Sequence, residues 1–429
     1  MLIGLFIALL LLLFGGAPVL LAIGIAGLLG MFLSPGVVLA IFPQKMFAML
    51  DSFSLLAMPF FILAGELMSR GGISNKMVAF SETVVGHMRG GLGHASVVGS
   101  MIFAGVSGSS VADTSAIGSI LIPAMKERGY QPGFAASILA AAGTIGPIIP
   151  PSMTMIIYGS MTGTSIGGLF LSGVIPGIII GIFLMGTIYI HSFLPQFPAL
   201  RVTTKFSFRQ MVKALGQVWS ALLAPVIILG GILSGVFTAT EAGVVACWYA
   251  FIVSFFVYKS LKLRDLPKIL VDAAIVTTTV VGIISVAGAF GWLLAYLDFN
   301  VIVLALLKSI STDRNVILLV LLGVIFIMGM FIESLAVLII LIPVCMFVTK
   351  AYGFDPFHFG LLMTIATQIG AVTPPVAVLL FVATSIAGCK YDETIRYCYP
   401  FVAALVAVML LVAFVPWTAT YIPHRFLGP

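Results

Sequence analysis

Charge is what this chain most lacks: Asp, Glu, Lys and Arg together supply only 8% of its 429 residues, too few to keep a soluble domain of this size from aggregating. Cysteine is scarce as well. Cys247, Cys345, Cys389 and Cys398 form no CxxC pair, so they are expected to be neither metal ligands nor redox groups. The five histidines, His87, His94, His191, His358 and His424, are scattered, and no HExxH pair is present, which leaves a zinc hydrolase without ligands. No GxxxxGK[ST] loop occurs either, so ATP cannot be the direct source of work.

What fills the sequence instead is hydrocarbon. Hydrophobic residues make up 61% of it and the mean hydropathy is +1.24, so lipid is its solvent. Runs such as residues 2–14, 169–190 and 402–415 have the apolar length of bilayer helices. Periodic strand signals are missing, which excludes a β-barrel. The first apolar segment has no basic residue ahead of it and continues through Gly15 and Pro18 to the region of Leu33, so it reads as a retained membrane helix and not a removed signal peptide.

A formal charge of +6 would suit nucleic acid if it were clustered, but Lys and Arg are dispersed among short loops, most densely at residues 201–213 and 259–268. Two hydrophobic spans, residues 221–236 and 242–256, separate those loops, which places both on one side, the cytoplasmic one. Residues 206–219 and 263–271 are basic and amphipathic, and both are expected to lie flat on the membrane surface.

Self-comparison divides the chain into related halves. Leu121-Ile122-Pro123 recurs as Leu341-Ile342-Pro343, about 220 residues later, each closing an apolar helix that starts after an acid, Asp113 or Glu333. Tyr130-Gln131-Pro132 matches Phe354-Asp355-Pro356, and the stretch from Thr144 to Pro150-Pro151 matches the stretch from Gln368 to Pro374-Pro375. Pro43 aligns loosely with Pro267, and Ala64-Gly65 with Ala287-Gly288. Weak symmetry of this kind marks secondary transporters built from inverted repeats. The expected organisation is a first repeat over residues 1–200, a surface connector over 201–216 and a second repeat over 217–429.

Each half carries two breaks. Residues 105–110, rich in Gly and Ser, interrupt an apolar run and predict a re-entrant hairpin over 93–125, with 329–334 as the counterpart tip of a hairpin over 314–349. The double prolines predict unwound helices over 132–160 and 357–387, because proline withdraws N–H donors and frees the carbonyls upstream. Carbonyls at the end of one half-helix suit a hard cation such as sodium, and amides at the start of the next suit an anion. The candidate sodium ligands are Ser107, Gly108, Ser109, Asp113, Thr144 and Pro147 in the first half, and Gly329, Met330, Glu333 and Thr373 in the second. The candidate substrate contacts are Ser107, Ser109, Ser110, Pro150, Ser152 and Thr373. Asp113 and Glu333 can serve either as helix N-caps or in cation binding; an uncompensated charge at a helix centre costs about 2.5–3.5 kcal/mol. Glu66 is expected in a structural pairing, and Glu241 at a helix start.

The stretch Gly86-His87-Met88-Arg89-Gly90-Gly91-Leu92, together with Phe103-Ala104-Gly105-Val106-Ser107-Gly108-Ser109-Ser110-Val111-Ala112-Asp113, closely resembles the large membrane subunit of TRAP (tripartite ATP-independent periplasmic) transporters. Residues 237–242 and 146–152 resemble that family too, and the likeness runs over essentially the whole chain. The resemblance implies an all-α, elevator-type secondary transporter of the bacterial inner membrane. It implies sodium-driven uptake of a carboxylate delivered by a periplasmic binding protein, and a separate small four-helix membrane subunit, since the family pattern begins near Met1. General likeness to sialic-acid members favours that substrate over C4-dicarboxylates and 2-oxo acids. A stand-alone sodium–dicarboxylate symporter is the nearest rival; a membrane enzyme and a passive channel are more distant ones.

Overall fold

The computed structural model describes residues 2–203 and 205–428. Helix is the only extended secondary structure among them, as a lipid-solvated backbone requires. Seven helices are long and apolar enough to cross a membrane, or eight if Phe299–Ile310 and Arg314–Gly329, bent by 119°, count as one span.

The two halves interlock. Val19–Phe32 packs on Leu266–Tyr296 of the other half, and its repeat counterpart Ala239–Ile252 packs on Ala57–Arg70 of the first. This exchange of partners is what a two-fold relation between inverted repeats produces. Small residues permit it: Gly24 and Gly27 face Val286 and Phe290, and Gly243 faces Phe60 and the Ala57 carbonyl. The halves differ in one place. The first repeat is interrupted between Ile41–Leu50 and Ala57–Arg70, whereas the second runs unbroken through Leu266–Tyr296. Arg70 bonds to both Glu66 and Asp272 and ties the two together, so Glu66 has the pairing expected of it.

Both hairpins form. The first consists of Gly91–Ser107 and Ser110–Glu127, the second of Arg314–Gly329 and Ser334–Tyr352. The helix expected to break at Gly105 continues to Ser107; the turn needs only Gly108, at φ +63°, and an extended Ser109. Both broken helices form as well, Pro132–Gly143 with Met153–Thr162, and Pro356–Val372 with Val378–Ala387. Each opens on a proline at its first turn, where a missing N–H costs nothing.

The basic amphipathic stretches differ from expectation. Residues 206–219 do not form a separate surface element over 201–216: from Phe208 they continue without a break into the 26-residue helix Phe208–Leu233. Residues 263–271 likewise lead into Leu266–Tyr296. Nothing in either stretch stops a helix, so the polar turns become the ends of spans.

Candidate functional site at the hairpin tips

Each hairpin tip rests on the break of its own half's broken helix. A side-chain carbon at Gly108 would collide with the Pro151 carbonyl. In the second half, Gly329 stands against Gly370, where an added carbon would lie 3.2 Å from the Gly370 Cα, and the Val376 amide donates to the Met330 carbonyl at 3.3 Å. The tips therefore lie at the mid-length of the broken helices.

The freed carbonyls at the breaks are partly satisfied by protein, as a membrane interior demands. Ser152 Oγ donates to the Pro147 carbonyl, and Thr154 donates to the same oxygen at 3.2 Å. In the second half, Tyr391 donates to the Pro375 and Val376 carbonyls at 3.1 and 3.0 Å, and Cys398 Sγ to that of Val372 at 3.1 Å. Thr144 and Thr373 donate to carbonyls of their own helices, Ala141 and Ile369, each at 2.6 Å. Their protons are spent, but their oxygens keep lone pairs for a cation.

The two acids play different parts. Ser109 is the cap of its helix, accepting from the Ala112 amide at 3.5 Å, so Asp113 lies a turn inside and not ahead of the helix start. Asp113 is fully buried; Ser107 Oγ donates to its Oδ1, and Oδ2 has no hydrogen-bond partner. That free oxygen points at Gly146 in the first break. Glu333 is a true N-cap, accepting from the Leu335 and Ala336 amides at 2.9 and 3.1 Å. Of the two roles open to both acids, the N-cap is filled by Glu333 and not by Asp113, because Ser109 adopts the extended cap geometry first. Glu241 also starts its helix, in a capping box with Thr238.

The tips converge on one small cavity of about 30 Å³. Ser109 and Ser110 reach it from the first hairpin, Glu333 and Ser334 from the second, and Thr154 and Gln368 from the broken helices. Gly108 and Pro147 also line it; Ser107, Asp113, Gly329 and Met330 of the hairpins and Thr144, Pro150, Ser152 and Thr373 of the broken helices are not among its lining residues. No Lys or Arg lines it among the described residues. The space accepts an ion or one or two waters, so a larger solute requires the tips to part. Gln368 escaped the sequence reading. Its signal was there: an amide inside a helix whose residues from His358 to Val372 are all buried.

A Gly-x-Ser-x-Gly pattern does occur at residues 163–167, but Ser165 is occupied as a helix cap, accepting from the Gly168 amide at 3.3 Å.

Residues 6–418 match the family model of the tripartite ATP-independent periplasmic transporter, DctM component. The chain belongs to the TRAP large permease family. A C4-dicarboxylate TRAP transporter large permease protein of Pseudomonas aeruginosa is 37% identical over 380 residues, covering 89% of this chain and 88% of that protein. A sialic acid TRAP transporter large permease protein of Vibrio cholerae is 36% identical over 417 residues, covering 97% of each. The crystal structure of the Alcanivorax borkumensis YdaH transporter, described as having an unusual topology, superposes with a TM-score of 0.59 at 12% identity, covering 90% of each chain. The TRAP permease is thus a multi-pass protein of the bacterial inner membrane, and its relatives are transport subunits, not enzymes.

Proposed function

We propose that this TRAP permease carries out sodium-coupled uptake of a carboxylate, as the large membrane subunit beside a small membrane subunit and a periplasmic binding protein. The observation that supports it best is Asp113. A buried carboxylate with one oxygen unpartnered, beside an unwound helix rich in carbonyls, is a cost that a sodium ion removes. Ser107, Gly108, Ser109, Thr144 and Pro147 are the companions that would complete that site. The second ion would sit among Gly329, Met330, Glu333 and Thr373. An anionic substrate meets no basic side chain in the cavity between the tips and faces Glu333, so it binds well only when cations accompany it.

The interlocked tips and broken helices suit movement as one body against the remaining helices, the elevator motion. The relatives named for sialic acid and for C4-dicarboxylates are almost equally similar, so overall identity does not choose the substrate. Sialic acid is the first acid to try. The test is uptake of labelled sialic acid and succinate into proteoliposomes holding this permease and the small subunit, with and without sodium and the binding protein. Uptake requiring both supports the tripartite reading; uptake requiring sodium alone makes the permease a stand-alone symporter; sodium-independent uptake removes the coupling.

A further inference from the structure

Gln368 lines the cavity between the hairpin tips, is 1% exposed, and its Oε1 has no hydrogen-bond partner. An amide carbonyl left so inside a membrane protein keeps an unrecovered desolvation cost, which a bound donor removes. Three helix N-termini open on the same cavity. They belong to Ser110–Glu127, Met153–Thr162 and Ser334–Tyr352, and Ser110, Met153 and Ser334 themselves line it. The Ala112, Met155, Leu335 and Ala336 amides are taken by the caps Ser109, Ser152 and Glu333, which leaves the opening amides of Ser110, Met153 and Ser334 at the positive ends of the helix dipoles.

The internal repeat sharpens this. Gln368 occupies the position of Thr144, whose hydroxyl turns back to the Ala141 carbonyl at 2.6 Å. The longer amide instead reaches the space shared by both halves. Two pseudo-symmetric half-sites thereby become one asymmetric site, in which one side chain can both donate and accept.

We propose that Gln368 is a substrate-positioning residue, and that the acid it positions carries a hydroxyl next to its carboxylate. This rests on the carboxylate-uptake reading above. The carboxylate takes the opening amides of Ser110 and Ser334, which the caps leave unused, and the Gln368 Nε2–H; the neighbouring hydroxyl donates to Gln368 Oε1. An acid without that hydroxyl leaves Oε1 unpaired and binds more weakly, by about tenfold for each 1.4 kcal/mol.

The experiment uses the full permease purified with its small subunit in sodium, and reads thermal stabilisation by pairs of acids that differ in one hydroxyl. The pairs are malate with succinate, lactate with propionate, and sialic acid with its 2-deoxy analogue. Wild type is expected to respond to the hydroxylated member of at least one pair at a concentration about tenfold lower. Gln368→Met, of nearly the same shape, should lose that discrimination and keep the stabilisation given by sodium alone; Gln368→Asn should restore part of it. A wild type blind to the hydroxyl in every pair, or a Gln368→Met protein that keeps the preference, overturns the assignment. Failure of every acid to stabilise wild type overturns the carboxylate reading and this one with it, whereas a response without discrimination sinks only this one.

Discussion

The carboxylate of Asp113 fills the space that a side chain at Gly146 would need: an added Cβ there collides with Oδ2 and stands 3.2 Å from the Ser109 carbonyl carbon. Gly146→Ala therefore pushes the first hairpin tip off the first break. Overpacking of this kind costs about 1–3 kcal/mol, so the protein still folds. The expected result is a fall in thermal stability and a rise of about tenfold in the sodium needed for half-maximal uptake, which corresponds to 1.4 kcal/mol at the ion site. A sodium titration that overlays wild type would sever the link between Gly146 and coupling.

Replacing the two acids separates their roles. Asp113→Asn keeps an acceptor for Ser107 but removes the charge, so sodium activation should weaken by at least about tenfold while the fold survives. Glu333→Gln keeps a carbonyl oxygen for the Leu335 and Ala336 amides, so it should leave folding unchanged and weaken the sodium response less than Asp113→Asn, because the Glu333 carboxylate is already paired by two amides; Glu333→Ala loses the cap and about 1 kcal/mol. Denaturation curves with and without sodium measure both effects. Equal sensitivity of the two acids to neutral isosteres would mean that the asymmetry between the halves has no functional weight.

How much of this was legible in the sequence depended on how local the physics is. The breaks near Pro150-Pro151 and Pro374-Pro375 were readable because proline acts on its own residue and on the carbonyls just before it. The hairpins were readable because a Gly–Ser interruption of an apolar run has few other uses in lipid. The roles of Asp113 and Glu333 were not separable, because a cap is decided by which residue first turns extended, and Ser109 wins that place in one half only. Gln368 was hidden because its importance lies in the meeting of the two halves. The continuation of residues 206–219 into Phe208–Leu233 was missed because polarity marks exposure, while the end of a helix needs a breaker.

Gly370 offers a test of how tightly the second tip is seated. An added Cβ would meet the Gly329 backbone and stand 2.9 Å from the Phe326 carbonyl oxygen, and none of these atoms belongs to a flexible side chain. Gly370→Ala should lower the melting temperature of the purified permease more than Gly230→Ala, where nothing stands within 4 Å, by about 1–3 kcal/mol in unfolding free energy. Equal effects of the two alanines would show that the Gly329–Gly370 contact adjusts freely.

The moving-body proposal makes the sharpest mechanical demand on Phe14 and Phe331, whose rings meet edge to face with centroids 6.1 Å apart. Phe14 ends the first helix, on the side proposed to stay still; Phe331 lies in the second hairpin tip, on the side proposed to move. Cysteines at both places, in a background free of the four native ones, should become bridged by a short bifunctional reagent. Bridging should then stop uptake, and a cleavable reagent should let it return. The control is Lys126 with Ala387, where the lysine Nζ donates to the Ala387 carbonyl at 2.7 Å. Both belong to the proposed moving body, one at the end of the first hairpin and one at the end of the second broken helix, so bridging them should leave uptake running. Transport that continues with Phe14 and Phe331 bridged would mean that the second tip does not travel past the first helix, and the elevator description would have to give way to local opening of the tip.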